Sequence, residues 1–132
     1  MPDPGLRPPT AARGIVLFAH GSRDPMWRAP VEAVATRLRQ RDPSLTVGCA
    51  YLELNDPDLP SADDAMVAAG CRHVHVLPLF LGVGRHARED LPRLVDALRR
   101  RHPALQLTVA PAVGEDERVL DLLADIARSG LS

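Results

Sequence analysis

Four amphipathic segments alternating with four short apolar runs predict an α/β chain: a four-stranded parallel sheet inside a three-layer α/β/α sandwich. Apolar residues recur at i, i+3, i+4, i+7 in Val31/Val34/Ala35/Leu38, Ala62/Ala65/Met66/Ala69, Leu91/Leu94/Val95/Leu98 and Val119/Leu122/Leu123/Ile126. Each segment offers one stripe to bury against a sheet. The intervening runs, 14–19, 45–52, 73–80 and 105–110, are too short for helices and have the length of strands. Strict β-α alternation with short connections implies parallel strands, right-handed crossovers and helices on both faces.

The elements follow in order. Residues 1–13 carry Pro2, Pro4, Pro8 and Pro9, which predicts a disordered lead-in and no signal peptide. Residues 14–132 form one domain, long enough to bury a core. Strand one, 14–19, has the Val/Ile/Phe content of a strand covered on both faces, and Gly21 and Pro25 stop it. Pro30, Pro60 and Pro92 are each expected in a helix first turn, where a missing N–H costs little. Gly70 stands where a C-terminal cap belongs, and Glu115, Asp116 and Glu117 open the last helix at its positive dipole end.

Bulk properties narrow the functional classes. A formal net charge of −1 lacks the basic excess of a general nucleic-acid binder, so any anion site must be local. No apolar run reaches the roughly 18 residues needed to cross a membrane. Cys49 and Cys71 form no CxxC pair and read as small buried residues of a cytoplasmic protein. The run Arg99-Arg100-Arg101-His102 suits the end of a helix dipole rather than a phosphate site.

Chemistry concentrates at the carboxyl ends of the strands, where open α/β sheets bind their ligands. His20 follows strand one directly, and His86 lies beyond strand three at the start of a helix. In the flavodoxin-like order 2-1-3-4, strands one and three are neighbours, so the two histidines line one crevice and can share a metal. Glu53 ends strand two at the same edge, as a candidate base or outer partner of the metal, or simply a loop carboxylate. Gly82-Val83-Gly84-Arg85-His86-Ala87 fits G-x-G-x-x-[GA], but the next strand end, Leu107-Thr108-Val109-Ala110-Pro111, has no acidic residue for a ribose. These glycines instead set the loop's turn and let a large flat ligand approach the backbone. His73 and His75 share one strand face, in a packing or surface role.

As a set, His20-Gly-Ser-Arg-Asp-Pro25, Tyr51-Leu-Glu-Leu54, Pro78-Leu-Phe-Leu-Gly82, Gly84-Arg-His86 and Glu89-Asp-Leu-Pro92 resemble the class II tetrapyrrole chelatases. The likeness is to the small cobaltochelatases and ferrochelatases of the CbiX/SirB group, and it spans about residues 14–127. It implies a chelatase-like half-module that inserts Co2+ or Fe2+ into sirohydrochlorin, for cobalamin or sirohaem synthesis. His20 and His86 match the metal-binding histidines, and Glu53 matches a plausible assisting acid. The divalent metal is then substrate rather than a permanently bound cofactor. The family's longer members fuse two such halves, so a single half implies a homodimer.

The chemistry suits these residue types. Neutral imidazoles are good ligands near pH 7 for borderline metals, and two protein ligands leave positions open on a metal that must be handed over. Two pyrrole protons must leave, to a histidine once its metal departs or to Glu53. Ser22, Arg23, Arg85 and Arg88 are candidates for the substrate's peripheral carboxylates. Two other readings stand beside this one. A non-catalytic module that binds and delivers metal or tetrapyrrole would share the ligands, and a histidine phosphatase is disfavoured by Ala19 where that chemistry wants arginine.

Overall fold

The computed structural model describes residues 12–131. Its elements are β1 (Ala12–Ala19), α1 (Ala29–Arg41), β2 (Thr46–Tyr51), α2 (Leu59–Ala68), β3 (Cys71–Pro78), α3 (Arg85–Arg101), β4 (Gln106–Val109) and α4 (Glu117–Ser129). Short 3-10 turns at Pro25–Arg28 and Val113–Glu115 precede α1 and α4. All strands are parallel, in the order β2-β1-β3-β4, so the expected topology holds. The expected lead-in 1–13 falls largely on residues 1–11, outside the described residues; Ala12 and Arg13 already belong to β1. Among the described residues no helix is long and apolar enough to cross a membrane.

Alternation along the strands divides the core between the two faces. Val16, Phe18, Val74, Val76 and Leu107 pack with Ala62 and Met66 of α2 and with Val95 and Leu98 of α3. Leu17, Ala19 and Val47 turn the other way, onto Val31 and Ala35 of α1. The caps are as the residue types demand. Asp58 accepts from the Ser61 N–H at the start of α2, Asp116 accepts from the Arg118 N–H at the start of α4, and Gly70 takes a positive φ of 91° just past α2.

Two expectations fail. Pro30 and Pro60 lie in first turns, but α3 begins at Arg85, seven residues before Pro92, which is therefore inside the helix. Gly84, with φ −66° and ψ 161°, provides the extended N-cap geometry, and Arg85 to Leu91 contains good helix formers, so the helix starts well before its apolar stripe. Pro92 has no N–H for the Arg88 carbonyl. The second failure is α4, whose stripe was expected against the sheet. No residue of α4 is buried, and every residue from Leu120 to Leu131 is exposed.

Candidate functional site

The loops after β1, β2 and β3 meet at the carboxyl edge of the sheet, and the first two are bonded to each other. The Leu52 and Glu53 N–H groups donate to the Ala19 and His20 carbonyls at 2.9 and 3.0 Å, continuing the β1-β2 ladder beyond both strands. Glu53 thus lies beside His20, and both residues are exposed. Gly21 turns away with φ 101°, and a Cβ there would collide with the Glu53 carbonyl, so only glycine fits this crossing. The Ser22 N–H donates to Asn55 Oδ1 at 2.6 Å, and Ser22 Oγ accepts from the Asp24 N–H. Asp24 Oδ1 in turn accepts from the Met26 N–H and caps the 3-10 turn.

Leu54 stands between Glu53 and Asn55 with φ 66°, a left-handed conformation that is costly for leucine. Strain of this kind gathers at functional loops. Here it occurs next to Asn55, whose carboxamide holds the His20 loop.

Beneath His20 lies Phe80, 1% exposed, with ring centroids 4.3 Å apart and planes tilted by 43°. Phe80 is itself fixed edge-on to Phe18 at 5.7 Å. The Leu79 N–H donates to the Phe18 carbonyl at 2.7 Å, which ties the β3 loop to β1. An imidazole on a buried aromatic loses rotamer freedom while its ring edge stays open to solvent. Burial pushes the Tyr51 phenol up from its ordinary pKa, so it stays neutral under this edge.

The remaining expected residues are placed by α3. Arg85 opens the helix and His86 is its second residue, so the backbone of His86 stands in the first turn beyond β3, the strand adjacent to β1. The exposed Arg85 Nε donates to Glu89 Oε1 at 3.2 Å. Arg88 is exposed and borders a cavity of about 380 Å3 behind Phe80, with Val83, Leu91, Pro92 and Val109. Arg23 is exposed on the β1 loop. Gly82 and Gly84 have open space where a Cβ would go and no positive φ, so the turn itself does not demand glycine at either.

Among the described residues no three His, Cys, Asp or Glu side chains gather as a metal cluster. His73 and His75 lie away from this edge, along β3, where Nε2 of the first and Nδ1 of the second share Thr108 Oγ1 at 3.1 and 2.6 Å. Sequence reasoning gave no role to Phe80, Asn55 or Leu54. Phe80 was visible within the Pro78–Gly82 motif, but its place under His20 depends on the β1-β3 pairing.

Comparison with known proteins agrees with this fold. Sirohydrochlorin cobaltochelatase of Sulfolobus acidocaldarius is 29% identical over 119 residues, covering 90% of this chain and 93% of that protein. Sirohydrochlorin ferrochelatase of Bacillus subtilis is 26% identical over 108 residues, covering 82% of this chain and 41% of that longer protein. The crystal structure of a CbiX protein from Marinobacter aquaeolei VT8 superposes with a TM-score of 0.77 at 29% identity, covering 90% of this chain and 97% of that one. The CbiX family model matches residues 14–129, nearly all of the described fold, and the chain belongs to the CbiX family.

Proposed function

We propose that this chain is a sirohydrochlorin chelatase that inserts Co2+ or Fe2+ into the tetrapyrrole. The observation that carries this reading is the setting of His20. An exposed imidazole rests on a buried aromatic, and the three loops of the same edge carry exposed Met26, Leu54 and Leu81 at 75, 55 and 65%. Large apolar side chains left in solvent around a polar group suit a flat ligand with an apolar face.

In this reading His20 and His86 hold the incoming metal through neutral imidazole nitrogens, with open positions for water and then for pyrrole nitrogens. Insertion exchanges two pyrrole protons for the metal. Glu53, bonded through its backbone to His20, receives a proton, and a histidine released from the metal takes the other. Ser22, Arg23, Arg85 and Arg88 bind the peripheral carboxylates; Arg85 gives up a weak, exposed pairing with Glu89 to do so. Residues 14–132 act as one chelatase module, working in the cytoplasm as a homodimer.

Anaerobic mixing of protein, sirohydrochlorin and each of Co2+, Fe2+ and Ni2+ tests the proposal. The expected result is a change in the visible spectrum faster than the protein-free blank with cobalt or iron. Rates equal to the blank with every metal would sink the enzyme reading, and stoichiometric binding without turnover would favour a delivery module.

A further inference from the structure

We propose that His73 and His75 of β3, held together by Thr108 of β4, form a second metal site, for a borderline divalent transition ion such as Zn2+ and separate from the His20 edge. The proposal stands on the geometry of these three residues and not on the chelatase reading.

The sheet register brings the groups together. Alternate residues of a strand share a face, so His73 and His75 project from the same side of β3. β4 runs beside them, with Thr108 opposite His75 and Gln106 opposite His73. His73 Nε2 lies 3.1 Å and His75 Nδ1 2.6 Å from Thr108 Oγ1, so one nitrogen of each ring is aimed at the same atom. A threonine hydroxyl has a single proton and can donate to only one of them. The other ring must turn an N–H towards the oxygen, because the hydroxyl cannot satisfy two ring lone pairs together. A metal ion takes both lone pairs at once, with His73 then protonated on Nδ1 and His75 on Nε2. Thr108 is a positioning residue in this arrangement, keeping the two rings convergent.

The surroundings select the kind of ion. Two imidazoles suit Zn2+, Co2+, Ni2+ or Cu2+, whereas Mg2+ and Ca2+ are held by sets of carboxylate and carbonyl oxygens. The strand residues that flank the pair on this face are Arg13, Ile15, Leu77 and Gln106, none of them acidic. The flanking cation, Arg13, is engaged by Asp42 at 3.4 Å. His73, His75 and Thr108 are all half-buried, so the rings are reachable from solvent yet restricted in their rotamers.

The pair is distinct from the loop edge. In register, Ile15 of β1 stands beside His75, five residues before His20. At about 3.3 Å of rise per residue this is roughly 16 Å along the strand, too far for the pair and His20 to share an ion. The pair instead bridges β3 and β4, a four-residue edge strand whose only neighbour in the sheet is β3. An ion held across the two strands stabilises that edge, as any ligand selective for the folded state does.

Calorimetric titration with Zn2+ alone, followed by NMR of the imidazole nitrogens, tests the proposal in a His20→Ala/His86→Ala background, which removes the ligands proposed for the other site. Zn2+ is expected to bind with one equivalent per chain, to shift the ring signals of His73 and His75, and to raise the unfolding temperature. Mg2+ at the same concentration should do none of these. His73→Ala/His75→Ala, added to the background, should abolish the binding, and Thr108→Val should weaken it by about tenfold while leaving the far-UV spectrum unchanged. Failure of Zn2+ to shift either ring overturns the proposal, as does undiminished binding in His73→Ala/His75→Ala. Undiminished affinity in Thr108→Val overturns the positioning role of the hydroxyl. The tetrapyrrole takes no part in this readout, so its failure is separate from failure of the chelatase reading.

Discussion

The two loops that carry the histidines are built in opposite ways. The His20 loop is fixed on every side: by the Glu53 N–H on the His20 carbonyl, by Asn55 on the Ser22 N–H, by the close crossing at Gly21 and by Phe80 beneath the ring. The segment leading to His86 has open space around both of its glycines, an exposed Leu81, and no side-chain cap at the start of its helix. A site that must take up a metal and then release it gains from this pairing. Under the proposed roles, His20 stays in place while the other side admits a large substrate, and a rigid scaffold limits the reorganisation each turnover requires.

The largest effect should come from His20→Ala, which removes the proposed ligand of the fixed loop while leaving Phe80 and the loop bonds in place. Metal insertion should fall to the blank rate with thermal stability close to wild type, since His20 is exposed. Insertion surviving at a substantial fraction of wild type would mean that the fixed loop is not the metal's anchor.

Gly21→Ala tests the rigidity itself. The added methyl must push the Glu53 backbone away, and φ 101° is unfavourable for alanine, so a stability cost of about 1–3 kcal/mol is expected. Displacing His20 by even about 1 Å should slow insertion by about a hundredfold. The single tryptophan, Trp27, packs near Tyr51 with ring centroids 6.3 Å apart, so its fluorescence reports whether this side has loosened. Wild-type insertion rates in Gly21→Ala would erase the contrast between the loops.

Acid should act on the fixed side first. Asp58 caps α2 just after the Glu53 loop, and its hydrogen bonds with Ser61 hold its pKa below the ordinary carboxylate value. A carboxylate lowered by folding contributes stability above its unfolded pKa of about 3.9 and loses it as pH falls through the folded value. Asp58→Ala should therefore cost about 1 kcal/mol near neutral pH, with the wild-type and variant curves converging on acidification below about pH 4. Equal differences at pH 7 and pH 3 would show that the cap is not what Asp58 supplies. Gly84 of α3 has no ionisable side chain and offers no such limb.

How far the molecule was legible follows from what periodicity encodes. Val31 and Ala35 of α1 and Val119, Leu122, Leu123 and Ile126 of α4 belong to the same spacing, yet the first pair is buried within the chain and the second set is not. The pattern records that a face must be covered and says nothing of what covers it. Strand order was readable because β-α alternation and right-handed crossovers leave few topologies, and the edge that brings His20 beside Glu53 came with it. The start of α3 was not, since Arg85 to Asp90 is polar on every side but Ala87 and the eye falls on Leu91 and Pro92. Asn55, Leu54 and Phe80 escaped for another reason. Their parts depend on one side-chain bond, one backbone angle and one ring contact across neighbouring strands, and none of these leaves a period in the sequence.

The smallest effect separates two reasons for glycine on the open side. With φ −66° and free space where a Cβ would stand, Gly84 meets no steric demand from its own chain, unlike Gly21. Gly84→Ser should stabilise α3 by a few tenths of a kcal/mol, because a serine hydroxyl can accept from a first-turn N–H that the present N-cap leaves without a side-chain partner. If the glycine serves instead to let a flat ligand approach the backbone, the same variant should show a raised KM for the tetrapyrrole and an unchanged affinity for the metal. A more stable protein with an unaltered KM would remove ligand approach as the reason.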